Sequence, residues 1–395
     1  MQGFLLLSEY EVTQGNDRPG WMYCGIACRM LSDLGLHELA DINHVALEGT
    51  DNEATRESAL AYALVAACIV YEGVWTLYLG RPSSIPKSII SIAAARCKSH
   101  QKSDSPLLNA WLGLCVPMSE ISHILNNQYV GDFDASSSLP NLIAQMQDWY
   151  NTLPPELVYV ESRLTNLDMA GYGLHTQYCK VQILLRQALA RCPNPRKRRY
   201  SQISGDSIPG MMSEDSSRAI YQEALRIARL VVTYREVFGV EKIPSIMLDN
   251  AVVAATTLIH HFNQVSSSHD VQQRDAVWVR SLIKSLEAVQ PHFPITKRML
   301  DALKHISAEG SLVDFFHSPA AGGPAIPAPG LSSGCESYIR GPDSNAVLNK
   351  PDAVWASFGV DLAPTTFFWG GLDNIFSDVP PSGDPLLNPP HMTLS

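Results

Sequence analysis

Through the first 308 positions, apolar residues recur at three- and four-residue spacing, the period of helices that bury one face. β-Branched alternation is scarce and no βαβ pattern appears, so the predicted fold class is all-α, an irregular multi-helix domain. Residues 21–37 show the pattern first: Trp21, Ile26, Met30, Leu34 and Leu36 fall near one face, and Gly35 offers a helix stop. Further helices are predicted over 53–79, 85–97, 106–128, 139–152, 171–191, 214–239, 243–264, 270–289 and 293–308. Each is bounded by Gly, Pro or a polar cluster such as Ser136-Ser137-Ser138.

Two stretches interrupt this. Residues 192–213 hold three prolines, a basic quartet and several Ser and Gly, the composition of an exposed loop. From Gly310 onward Pro and Gly become frequent, as in Ala320-Ala321-Gly322-Gly323-Pro324, and a disordered tail is expected. The expected organisation is a first helical part at 1–191, a basic loop at 192–213, a second helical part at 214–309 and an acidic, aromatic tail at 310–395. No repeat of fixed period is present.

Composition narrows the functions. Of 395 residues, 46% are hydrophobic and 17% charged, so most of the chain is expected to fold around a core. The net charge of −10 argues against broad contact with nucleic acid, which needs a local excess of Lys and Arg. The longest unbroken apolar run, Ala59 to Tyr71, is 13 residues, core-helix length rather than bilayer length. No basic region precedes the short apolar stretch at the N-terminus, so no signal peptide is read there. Eight cysteines, at 24, 28, 68, 97, 115, 179, 192 and 335, lie too far apart for a disulfide scaffold, and reduced thiols are expected.

Catalytic motifs are missing. There is no Gly-x-Ser-x-Gly elbow, no phosphate loop and no dinucleotide fingerprint. His37-Glu38 opens like a zinc-protease motif, but Asp41 stands where the second ligand histidine belongs. Asp132-Phe133-Asp134 is the nearest approach to an acidic magnesium motif, and it adjoins a Ser-rich turn rather than lying within a helix. Cys24 and Cys28 share a helix face and could hold a metal, yet with no second ligand pair nearby they read better as core residues. His260 and His261 diverge by about 100° on a helix and cannot share a site. No catalytic residue and no cofactor is assigned.

The segment from Trp21 to His37, Trp-Met-Tyr-Cys-Gly-Ile-Ala-Cys-Arg-Met-Leu-Ser-Asp-Leu-Gly-Leu-His, resembles the signature W-x-Y-x-G-x-A-x-R-M-A-x-D-L-G-L-H of the fungal-specific transcription factor domain. That domain is the regulatory middle region of fungal zinc-cluster transcription factors. Trp75-Thr76-Leu77-Tyr78-Leu79-Gly80-Arg81-Pro82 looks like the family's W-S-x-Y-L-G-R-P segment. In the family's order follow Trp149-Tyr150-Asn151-Thr152-Leu153-Pro154, Leu174-His175-Thr176-Gln177-Tyr178, Leu184-Leu185-Arg186, Tyr234-Arg235, Phe238-Gly239 and Ile243-Pro244. The resemblance covers roughly residues 1–265 and is closest to the branch holding nitrate-assimilation regulators. It implies a nuclear regulator of RNA polymerase II genes, without enzymatic activity. It also implies zinc and DNA binding through an N-terminal six-cysteine cluster, spaced C-x2-C-x6-C twice, which no set of cysteines here reproduces. Helices ordinarily precede the Trp21 signature, so the chain is expected to start inside the regulatory domain, as a natural short form or a gene model lacking upstream exons. Before Trp75 the family reads F-W-G-x-Y-x-x-D-R; here its Trp is Ala66 and its Asp-Arg pair is Glu72-Gly73, so packing is either compensated elsewhere or degraded.

The signature residues Trp21, Gly25, Arg29, Asp33, Gly35, His37, Trp75, Gly80, Arg81, Pro82, Trp149, His175 and Tyr178 are read as packing and capping residues, or as the frame of a small-molecule-sensing cavity. Trp21 and Trp75 are expected to anchor helix on helix. Arg29, on an otherwise apolar face, needs a carboxylate or free carbonyls, and Arg81 is expected to pin a loop likewise. His37 is expected to donate to the last carbonyls of its helix.

Arg196-Lys197-Arg198-Arg199 suits a nuclear-import signal or an ordinary solvated charge run. The last 45 residues carry Asp352, Asp361, Asp373, Asp378 and Asp384 and no Lys or Arg, interleaved with Trp355, Phe358, Phe367, Phe368, Trp369 and Phe376. That is the composition of an acidic activation segment, or of a tail folded onto its own domain. Expected partners are transcription coactivators or a zinc-cluster relative, with DNA reached indirectly or through a missing N-terminal region, no membrane, and a homodimer left open. Two other classes stay open: a standalone interaction or inhibitory module acting through a full-length relative, and an all-α small-molecule-binding protein or enzyme.

Overall fold

A computed structural model describes residues 1–39, 53–99, 106–126, 135–191, 214–264 and 269–308. The first element is α1 (Gln2–Thr13), which the pattern did not single out: Phe4-Leu5-Leu6-Leu7 is apolar in an unbroken run, so no face stands out. It turns through Gly15, φ +89°, into α2 (Asp17–Asp33). Gly35, φ +63°, then separates α2 from the single turn α3 (Leu36–Leu39). The expected 21–37 helix thus begins earlier and stops sooner, and His37 sits in α3 rather than capping α2.

There follow α4 (Glu53–Leu79), α5 (Lys87–Ser99), α6 (Pro106–Asn126) and α7 (Ala135–Asn151), then two short 3-10 turns at Pro155–Leu157 and Glu161–Asn166. The second half holds α8 (Met169–Arg191), α9 (Glu214–Phe238), α10 (Ser245–Gln264), α11 (His269–Val289) and α12 (Ile295–Ala308). The described residues contain no strand, so the fold is all-α. Within α4 the stretch Ala61–Leu79 is long and apolar enough to cross a membrane, but 83% of it is buried against other helices.

Helix α8 lies at the centre, in contact with α6, α7, α9 and α10, while α4 packs against α2, α3 and α6. Helices on both sides of 192–213 contribute to one continuous core that runs from Leu5 to Leu303. Closeness at the α1–α2–α4 junction depends on Gly20. A Cβ there would lie 2.8 Å from Cη2 of Trp75, 2.8 Å from Cγ2 of Val12 and 3.0 Å from the Ser8 carbonyl. Trp75 is fully buried in that junction and its Nε1 donates to Ser8 Oγ at 3.1 Å. At the far end of the chain, Arg298 Nη2 donates to Asp17 Oδ2 at 2.5 Å and ties α12 to the start of α2.

The two α2 glycines therefore predict effects of opposite sign. Gly20→Ala should lower stability by about 1–2 kcal/mol, because overpacking costs more than the ~1 kcal/mol that Ala gains in helix propensity. Gly25→Ala, whose Cβ would meet only Arg29 Nη1 at 3.5 Å, should raise stability by about 0.5–1 kcal/mol. Urea unfolding of both variants followed by circular dichroism checks the pair.

Candidate functional site

Because the middle of α8 is enclosed by other helices, the polar residues there have no water to turn to. His175, Thr176, Gln177, Lys180 and Gln182 are each at most 1% exposed. Lys180 forms an ion pair with Asp249 of α10, both side chains 1% exposed. One turn earlier on the same face of α10, Ser245 Oγ donates to Glu9 Oε1 at 2.5 Å, and Glu9 is itself buried on α1. Asn250 Nδ2 donates to Thr176 Oγ1 at 3.1 Å, while the Thr176 hydroxyl donates back to the carbonyls of Tyr172 and Gly173. With Ser8 and Trp75 these groups make a polar seam from α1 across α4 to α8 and α10.

Charge at this depth is expensive, so the pair must be matched closely to be retained. The seam also raises its neighbours: burial first, then Glu9, pushes the Tyr71 phenol well up, and burial followed by Asp17 does the same to Tyr78. Two carbonyl oxygens, Gln177 Oε1 and Asn250 Oδ1, are buried and accept no hydrogen bond from the described residues. Gln177 Nε2 reaches only the sulfur of Met118, at 4.0 Å. Chemically the seam holds unpartnered acceptors beside a fixed ion pair.

A second group forms where α7 and α8 meet. His175 Nε2 donates to the Leu157 carbonyl at 2.7 Å, so that nitrogen carries the proton and the first 3-10 turn is pinned to α8. Burial lowers the His175 pKa to about 4. Trp149 stacks on Tyr178 with centroids 5.3 Å apart, and its Nε1 donates to the Ala110 carbonyl at 2.9 Å. Three signature residues, Trp149, His175 and Tyr178, are thus drawn into one aromatic cluster.

The N-terminal signature divides differently. Arg81, just after the Gly80 turn (φ +59°) and before Pro82, places its guanidinium 4.7 Å from the Trp21 ring, so the two tryptophan segments touch through a cation–π contact. Trp21 is therefore half-buried, not the deep anchor that Trp75 is. Arg29 departs from expectation as well: it is exposed, its guanidinium lies over Gly25, and it engages no carboxylate among the described residues. Asp33 is exposed beside it. Of the departures before Trp75, Ala66 is fully buried, Glu72 accepts hydrogen bonds from the Ser84 N–H and hydroxyl, holding the loop after α4, and Gly73 lies where a Cβ would make ordinary contact with Cys115 Sγ at 3.5 Å. Arg196, Lys197, Arg198, Arg199 and the tail aromatics Trp355, Phe358, Phe367, Phe368, Trp369 and Phe376 lie outside the described residues.

Cys24, Cys28 and Cys68 meet between α2 and α4 as a chain of hydrogen-bonded thiols. The hydrogen bond to Cys24 and burial push Cys28 well up, and the hydrogen bond to Cys28 and burial do the same to Cys68. No group of three or more His, Cys, Asp or Glu among the described residues could hold a metal ion. Among the described residues, no cysteines have the six-cysteine spacing that the resemblance implies for the zinc cluster.

Sequence reasoning missed the ion pair, although a signal exists. Lys180 is the one charged residue of α8 before Arg186, and Asp249 the one Asp, Glu, Lys or Arg of α10. Lone opposite charges in two apolar helices point to each other.

Comparison with known proteins places residues 1–115 within the model of the fungal specific transcription factor domain, as the two tryptophan segments led us to expect. The chain is 25% identical, over 295 residues, to an uncharacterized transcriptional regulatory protein of Schizosaccharomyces pombe; this covers 68% of the chain and 45% of that protein. It is 23% identical over 203 residues to the nitrogen assimilation transcription factor nit-4 of Neurospora crassa, covering 45% of the chain and 18% of that protein. The aligned region thus spans less than half the length of either relative. No solved structure matches.

Breaking the buried pair by Lys180→Met should cost about 3–5 kcal/mol, since Asp249 is left buried and uncompensated, while Lys180→Met with Asp249→Leu should restore most of the loss. Urea unfolding of the single and double variants reads this. His175 binds its proton more weakly folded, near pH 4, than unfolded, near 6.5. Stability should therefore rise with pH across that window, by up to about 3 kcal/mol. Denaturation midpoints between pH 4 and 7 should lose that step in His175→Gln.

Proposed function

We propose that this chain, whose residues 1–115 carry a fungal specific transcription factor domain, is a nuclear regulator of RNA polymerase II genes that acts without catalysis. The observation that carries the reading is the domain match itself, together with two transcriptional regulators among the relatives. The helical domain is the sensing part. Occupancy of the polar seam, by a small molecule that donates hydrogen bonds, shifts how α1, α4, α8 and α10 sit together. The acidic, aromatic residues 352–384 are the output, presenting Trp355, Phe367, Phe368 and Trp369 to coactivator grooves, and Arg196–Arg199 serve nuclear import. Family members bind zinc and DNA through an N-terminal cluster, so DNA is reached either indirectly or through a region that precedes residue 1. A second reading is an interaction module that pairs with a full-length zinc-cluster relative and restrains it.

Tethering the whole chain, and the chain cut after Ser311, to a heterologous DNA-binding domain in a fungal host separates the two. Activation by the whole chain and none by the cut chain is expected. Silence from both, with a zinc-cluster protein co-purifying, would establish the inhibitory module instead.

A further inference from the structure

Three signature positions are placed where the domain's own packing has no use for them. Gly25, Arg29 and Asp33 belong to the outer face of α2, turned away from α4. With Arg18, Met22 and Ile26 they form one stripe at three- and four-residue spacing along the helix. Arg18, Arg29 and Asp33 are exposed, and none has an ion pair or hydrogen bond among the described residues. Met22 is 53% exposed.

The neighbouring helix widens this surface. α1 runs antiparallel to α2: Phe4 stacks on Tyr23 with centroids 6.2 Å apart, while Ser8 and Val12 border Gly20 further down. On its outer side α1 presents Leu6, Leu7 and Tyr10, the last 59% exposed. Exposed apolar residues and unpaired charges side by side on one hairpin suit an interaction surface.

The charge order along α2 identifies the occupant. We propose that the outer face of the α1–α2 hairpin binds a second copy of this chain, with the two α2 helices antiparallel about a two-fold axis between Gly25 and Ile26. In that register Arg18 of each copy falls opposite Asp33 of the other, and Met22 falls opposite the aliphatic stem of Arg29. The two ion pairs close both ends of a contact roughly 22 Å long. The smallest side chain of the stripe, Gly25, lies at the crossing point, where helix backbones must come closest. Such a contact is isologous: one patch, used by both copies, satisfies itself and closes. The pairing contains one repulsive element. The two Arg29 guanidiniums rest over Gly25 and approach each other near the axis, which moderates the affinity.

Sedimentation velocity of the full chain over a range of concentrations tests the proposal independently of the transcriptional reading. Wild-type chain should dimerise. Arg18→Asp or Asp33→Arg alone should each weaken the dimer at least tenfold, because each sets like charges opposite one another at both ends. An equimolar mixture of the two variants should associate as wild type does, since every facing pair is then of opposite sign. Arg29→Gln should tighten the dimer roughly twofold to fivefold. All three substitutions are at exposed positions, so far-ultraviolet circular dichroism should match wild type and separate lost association from lost folding. A chain that stays monomeric, or a dimer indifferent to both reversals, overturns the proposal. So does a monomer whose α1–α2 face cross-links to residues 352–384 of its own chain, which would make the acidic tail the occupant.

Discussion

A helix segment packed on every side must settle its polar residues within the protein, and α8 carries five buried ones within little more than two turns. The Lys180–Asp249 pair is the heaviest of these obligations and it fixes the register of α8 on α10. Once that register is set, Asn250 meets Thr176, Ser245 comes within reach of Glu9, and α1 is drawn onto the back of the bundle. Apolar burial supplies most of the driving force, as in any domain of this size, but apolar contacts tolerate sliding. Buried charges do not. The seam thus selects one arrangement of helices out of several that would bury similar area.

Helix number and type were legible in the sequence because long helices with one buried face impose a period that no other structure shares. The boundaries of α4, α6 and α8 fell within a few residues, marked by Gly80, Asn126 and Arg191. What the pattern could not reveal was α1, apolar all round near its start, or the turns at Pro155–Leu157 and Glu161–Asn166, too short to have a period. Side-chain partners were harder still. Arg29 and Arg81 share a residue type and a signature, yet one lies out on the surface and the other sits on Trp21, a distinction settled by contacts that no local pattern encodes.

The signature residues thereby separate into distinct physical roles. Trp75 and Gly20 let α1, α2 and α4 close together; Trp149, His175 and Tyr178 fasten α7, α8 and the turn between them; Trp21 and Arg81 clasp two segments at the surface. None of these resembles a reaction centre, since each polar group is directed at the protein itself. The seam differs because two of its acceptors are left over. A domain of this kind acts by having more than one stable relation among its helices, and a polar interior provides the discrete alternatives that an oily one lacks.

The clasp between Arg298 and Asp17 joins residues 281 positions apart. A ribosome adding about 5–20 residues per second takes roughly 15–55 s to cover that interval. For that interval the start of α2 waits without α12, and for most of it α1 waits without α10, showing the face that later meets Ser245. The α1–α2 hairpin is thus among the last parts to be completed. Its safe passage depends on what else is at hand to cover it while the rest of the chain is being synthesised.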